Sequence, residues 1–159
     1  HIDALQDDWS RQRPDLDPAP MGVVLRIQAL AKILTQQASD SLEEYGLQWW
    51  QYDVLSTLRR QGKPYTLAAT ELADSALLTS GAMTNRIDRL EDEGLVRRLA
   101  DAEDRRKVLV QLTPRGLERI EGATEARFEA ALDALAPLDS MQRKSLSKLL
   151  RQLLVAHES

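Results

Sequence analysis

Arg97, Arg98, Arg105, Arg106 and Lys107 surround the tip Ala100-Asp-Ala-Glu-Asp104, and a cluster of cations of this kind suits phosphate oxygens. Just upstream, Gly81, Asn85 and Asp88 lie opposite Ile87 on a helical wheel, with Ser80, Thr84 and Arg89 at the margins. Small donors and acceptors on such a face can approach base edges and phosphates closely. A third feature is Asp53, a carboxylate on an otherwise apolar segment, which must be solvated or paired. Arg86, on the flank of the downstream helix near its Met83/Ile87 edge, is its natural partner. Bond-making chemistry is not indicated. Cysteine is absent, the two histidines stand at positions 1 and 157, and there is no Ser/His/Asp, Cys/His or metal-ligand constellation and no phosphate-cradling glycine loop. No catalytic residue, metal or cofactor is therefore assigned.

The elements that must hold these groups can be read from periodicity. Met83, Ile87 and Leu90 recur at i, i+4 and i+7, one stripe of a helix. Thr79 or Ser80 can cap it, and Gly94 suits the position past its end. Val108, Val110 and Leu112 alternate as a strand should, so the basic segment reads as a hairpin. A helix-turn-helix followed by a basic hairpin is the winged-helix arrangement, in which the second helix enters a major groove and the wing reaches phosphates or the adjacent minor groove. The fold expected is mainly α with a small β-wing.

Around this unit lie further helices. Residues 1–20 read as an arm with a short helix over Ile2–Gln12, broken at Pro14-Asp-Leu-Asp-Pro18. A long helix from Met21 to Tyr45 is closed by Gly46, and a second, Gln48–Gln61, is apolar nearly all round and expected to be buried on both faces. A third, about Ala69–Ala76, has no evident N-cap because Ala68 offers no oxygen. Thr113-Pro114 is a firm helix start, and Asp139 to Gln142 resembles a capping box before a last helix striped with Leu146, Leu149, Leu150, Leu153 and Leu154. That stripe calls for a partner. The expected organisation is a winged helix-turn-helix over 46–112 and a helical dimerisation region from 21–45 with 113–159. A symmetric homodimer would present two recognition helices about one DNA turn apart.

The net charge of −4, from 21 Lys and Arg against 25 Asp and Glu, opposes duplex binding only weakly, since positive charge gathers on the wing while Glu118 to Glu129 and Glu43-Glu44 carry acid elsewhere. Binding should weaken steeply with salt. No apolar run approaches the roughly 18 residues of a membrane helix and no signal peptide is visible, so no membrane partner and a cytoplasmic location are expected.

The blocks Ser80-Gly-Ala-Met-Thr-Asn-Arg-Ile-Asp-Arg-Leu-Glu-Asp-Glu-Gly-Leu-Val-Arg-Arg98, Asp104-Arg-Arg106 and Leu112-Thr-Pro-Arg-Gly116 resemble the MarR family of winged-helix transcription regulators. The resemblance runs from about Leu25 to the C-terminus. It implies a homodimer on pseudo-palindromic double-stranded operator DNA, acting as a repressor, with Ser80, Thr84, Asn85, Arg89, Arg105, Arg106 and Lys107 toward the duplex. In the family's Asp-x-Arg pair, matched by Asp104 and Arg106, the acid orients the arginine. Trp9-Ser-Arg-Gln-Arg-Pro-Asp-Leu-Asp17 is similar to the amino-terminal extension of the urate-responsive branch. There a tryptophan and an arginine on the extension, an aspartate on the second helix and an arginine on the recognition helix form the ligand site; the matching positions are Trp9, Arg13, Asp53 and Arg86. With Trp9 and Arg13 at i and i+4, a helical arm would present both on one side to a small aromatic anion, urate-like or phenolic. Such a ligand would separate Asp53 from Arg86, untether the recognition helix and lower DNA affinity. The competing reading is a winged-helix protein-assembly module without DNA binding.

Overall fold

Among the described residues, 1–102, 104 and 106–157, the computed structural model has seven helices and three strands. They fall into two compact units, His1–Asp40 and the chain from Ser41 onward.

The first unit holds α1 (Ile2–Gln12) and all but the last turn of α2 (Ala19–Glu43). Gly22 lets the two approach, because a Cβ there would run into the Gln6 side chain. Gln6 Nε2 donates to the Pro18 carbonyl at 3.1 Å, and Arg26 Nη1 donates to Gln6 Oε1 at 3.0 Å while its other nitrogen meets Asp3. α1 ends at Gln12 as the sequence implies: Arg13 is its C-cap at φ −138°, ψ 72°, its amide donating to the Trp9 carbonyl at 2.8 Å, and Pro14 disfavours helical backbone in the residue before it.

The second unit carries α3 (Trp49–Arg60), β1 (Thr66–Ala68), α4 (Ala69–Ser75), α5 (Ser80–Asp92), β2 (Val96–Ala100), β3 (Val108–Leu112), α6 (Pro114–Ala134) and α7 (Ser140–His157). The sheet is antiparallel in the order β1-β3-β2, with Val96 opposite Leu112 and Thr66 opposite Gln111. Its inner face and helices α3 to α6 enclose a core that includes Leu55, Leu58, Leu72, Ile87, Val110 and Ile120. Each such side chain stabilises the fold by roughly 1.5–3 kcal/mol relative to exposure.

Helix ends follow local chemistry. Thr79 Oγ1 accepts from the Ala82 amide at 3.3 Å, and past the end of α5 Gly94, at φ 70°, lets the Leu95 and Gly94 amides reach the Leu90 and Glu91 carbonyls, both at 2.9 Å. Gly46, at φ 59°, closes α2 in the same way. Ala68 offers α4 no side-chain oxygen, yet Glu71 Oε2 accepts the Ala68 amide at 3.0 Å, half of a capping box. Asp139 and Gln142 complete the expected box before α7. α3 is not buried on both faces: Val54, Leu55 and Leu58 lie in the core, but Trp49 is half-exposed. α7 contributes no buried residue, and Leu149, Leu153 and Leu154 stand largely in solvent.

Candidate nucleic-acid interface

α5 buries Met83, Ile87 and Leu90, so its opposite face is turned out, with Ser80, Thr84, Asn85, Asp88 and Arg89 all exposed. The Thr84 hydroxyl donates to the Ser80 carbonyl at 2.8 Å, which leaves its lone pairs available to an incoming donor. On the wing, Asp104 Oδ1 accepts from the Arg106 amide at 3.0 Å and from its Nε at 3.2 Å. Accepting from that amide and then from the Arg106 side chain, with the nearby Lys107 charge adding to the effect, holds the Asp104 carboxyl below the usual aspartate range. The carboxylate thus fixes the base of an arginine whose side chain is 92% exposed. Ser80 and Thr84 of α5 and Arg106 and Lys107 of the wing line one cleft of about 230 Å³ together with Thr70. Arg105 lies outside the described residues.

Two of the cations behave differently from a solvated patch. Arg98 turns back onto α5, where Nη2 meets Asp88 and Nη1 meets Glu91, each at 2.5 Å, and Arg97 bonds Gln111 Oε1 across the sheet. Strand alternation carries the signal for this, since Arg98 shares a face with buried Val96 while Arg97 takes the other. Arg89 is the second, its guanidinium carbon 4.8 Å from the centroid of Trp50 on α3. Gln51, which no sequence pattern singles out, is buried and donates to both carboxylate oxygens of Glu93, at 2.9 and 3.0 Å, latching α3 to the end of α5.

A helix with an outward polar face beside a hairpin that presents a braced arginine is the geometry of a groove-reading module. The MarR family model matches residues 47–108, which span α3 through the start of β3. The chain is 31% identical over 149 residues to the HTH-type transcriptional regulator PecS of Dickeya dadantii, covering 94% of this chain and 90% of that one. The chain belongs to the MarR family. Among solved structures, the YusO protein of Bacillus subtilis matches with a TM-score of 0.71 at 26% identity, over 88% of this chain and 97% of that one. A MarR variant of E. coli in complex with operator DNA shares the fold, with a TM-score of 0.70 at 22% identity, over 92% and 97% of the two chains. This MarR-family protein is accordingly a DNA-binding transcription regulator, and its relatives are named as regulators rather than enzymes. Among the described residues no helix is long and apolar enough to cross a membrane.

Of the residues matched to a ligand site, Asp53 and Arg86 lie in the second unit and Trp9 and Arg13 in the first. Asp53 and Arg86 do not pair: α3 turns Trp50, not Asp53, toward α5, and the Arg86 guanidinium carbon lies 5.6 Å from the Trp50 ring centroid. The expected tether of the recognition helix is therefore absent. Asp53 instead borders a groove of about 480 Å³ between α3 and α6, walled by Trp49, Tyr52 and Phe128 and flanked by Arg59 and Arg60. Arg127 covers Trp49 at 5.3 Å, and Arg59 is held by Glu121 at 2.5 Å. In the other unit, Trp9 is half-exposed on α1, and Arg13 donates to both carboxylate oxygens of Asp15, at 2.8 and 2.6 Å.

Proposed function

We propose that this regulator is a homodimeric repressor that grips pseudo-palindromic operator DNA and is released by a small aromatic anion, urate or a related purine first. The observation that carries the DNA half is the shared cleft of Ser80, Thr84, Arg106 and Lys107, which offers hydroxyls for base edges beside cations for phosphates. In this reading Asn85 and Arg89 add contacts along α5, and Arg105 adds charge at the wing tip. The dimer rests on α7, whose Leu149, Leu153 and Leu154 keep about half or more of their surface exposed among the described residues and would be paired by a second copy.

The ligand half rests on the Asp53 groove. An aromatic plate with ring N–H groups could stack between its aromatic walls and donate to Asp53, while Arg60 faces the ligand's anionic edge. Trp9, Arg13 and Arg86 are proposed as contacts on the family resemblance. Release would follow if the ligand binds α3 better in an arrangement that shifts the paired α5 helices.

The test is a thermal-shift series with urate and with a phenolic carboxylate on the parent and on the Asp53→Asn, Arg86→Ala, Arg13→Ala and Trp9→Ala variants. Each hit is then added to protein bound to a duplex selected from a random pool. Stabilisation by urate that is lost in Asp53→Asn, with release of the parent from the duplex, supports the reading. Urate that neither stabilises nor releases the parent refutes it, and a response to the phenolic acid alone moves the ligand to that class.

A further inference from the structure

Trp50 does not line the groove; it meets two arginines of the recognition helix. Its indole Nε1 donates to Gln48 Oε1 at 2.6 Å, which fixes the plane of the ring against the N-cap of its own helix. Over that ring sit two guanidinium groups from α5, Arg89 at 4.8 Å and Arg86 at 5.6 Å from the centroid. Among the described residues neither arginine is ion-paired with a carboxylate, whereas Arg98 on the wing side of α5 is held by two. A guanidinium laid on an aromatic face keeps its charge and its N–H edge free for an anion while its long side chain loses rotamer freedom in advance.

We propose that Trp50 is a positioning residue for DNA binding, its indole face holding Arg89 in a posture that presents its N–H edge to the duplex backbone. This rests on the reading of α5 as the helix that faces DNA. α3 then sets the pose of a DNA contact directly through a π face. The tryptophan never touches the duplex; it acts through Arg89.

The experiment is a set of titrations at one fixed salt concentration with a duplex that the parent selects from a random-sequence pool. The proteins are the parent, Trp50→Phe, Trp50→Leu, Arg89→Ala and the double variant Trp50→Leu/Arg89→Ala, each checked for folding by circular dichroism. Trp50→Phe keeps a π face and should bind within about threefold of the parent, while Trp50→Leu should bind roughly tenfold more weakly. The double variant should be no weaker than Arg89→Ala within about twofold, because the indole acts only through that arginine. Should Trp50→Leu fail to fold, Trp50→Met supplies an apolar side chain without a π face and is held to the same expectation. Equal affinity for the Phe and Leu (or Met) variants, additive losses in the double variant, or a parent-like Arg89→Ala each overturns the assignment while leaving the regulator reading intact. A parent that selects no duplex overturns both.

Discussion

Arg98 of β2 and Asp88 of α5 are joined at 2.5 Å, and the same guanidinium reaches Glu91 one turn along the helix at 2.5 Å. The Arg98 amide also donates to Glu91 Oε1 at 2.9 Å. The wing's first strand is thus bolted to the face of α5 that turns outward, and one of that face's acids is neutralised where phosphates would arrive. The two surfaces that must meet DNA together are fixed to each other by this contact.

Arg98→Ala should therefore lower stability by about 1–2 kcal/mol, between the values for exposed and for buried ion pairs. It should also weaken duplex binding, since two uncompensated carboxylates would remain on α5. Chemical denaturation and a binding titration check the two halves; a midpoint and affinity equal to the parent's would show that the clamp contributes nothing.

Gly116 lies at the first turn of α6, where Thr113 Oγ1 accepts its amide at 3.0 Å and donates to the Gly94 carbonyl at 2.7 Å. A Cβ at this position would collide with the Leu95 carbonyl oxygen, a backbone atom that cannot swing away. Gly116→Ala should cost about 1–3 kcal/mol by overpacking the junction, despite the better helix propensity of alanine. A thermal melt at or above the parent's midpoint would contradict this close approach.

The wing carries a pH prediction. Bonds from the Arg106 amide and side chain depress the Asp104 carboxyl in the folded chain. A depressed acid contributes stability that is fully present above its unfolded value of about 3.9 and is lost as pH falls through the lower folded value. Order at the wing base should thus be indifferent to pH near neutrality and fail only in acid. Carboxyl NMR titration should place Asp104 below 3.9, and a value at or above it would remove the proposed brace of Arg106.

Capping and periodicity made most of the fold legible. The glycines at 46 and 94 and the Thr113-Pro114 start are local signals whose meaning does not depend on tertiary context, and each stands where an element ends or begins. β1 carries no periodic signal, because three residues are too few to show alternation. The end of α1 at Gln12 is legible in Pro14, which keeps the backbone of Arg13 out of the helix. The Asp53–Arg86 pairing failed for a deeper reason. A helical wheel gives the azimuth of a residue on its own axis, not which residue of a neighbouring helix it will meet, and the tryptophan beside Asp53 took the place assigned to the carboxylate. Arg98 sits in a run of basic residues, and its parity with buried Val96 is the sequence signal that sets it apart from Arg97.

The central claim, that two copies of this chain grip one duplex through α5 and the wing, is tested most directly by sedimentation of the parent and of Arg106→Ala with a duplex selected by the parent, across a salt series. The account predicts two chains per duplex, affinity that falls steeply with salt, and for Arg106→Ala a broad loss of binding with a shallower salt slope. A single chain per duplex, or an Arg106→Ala protein that binds with the parent's affinity and slope, would contradict it.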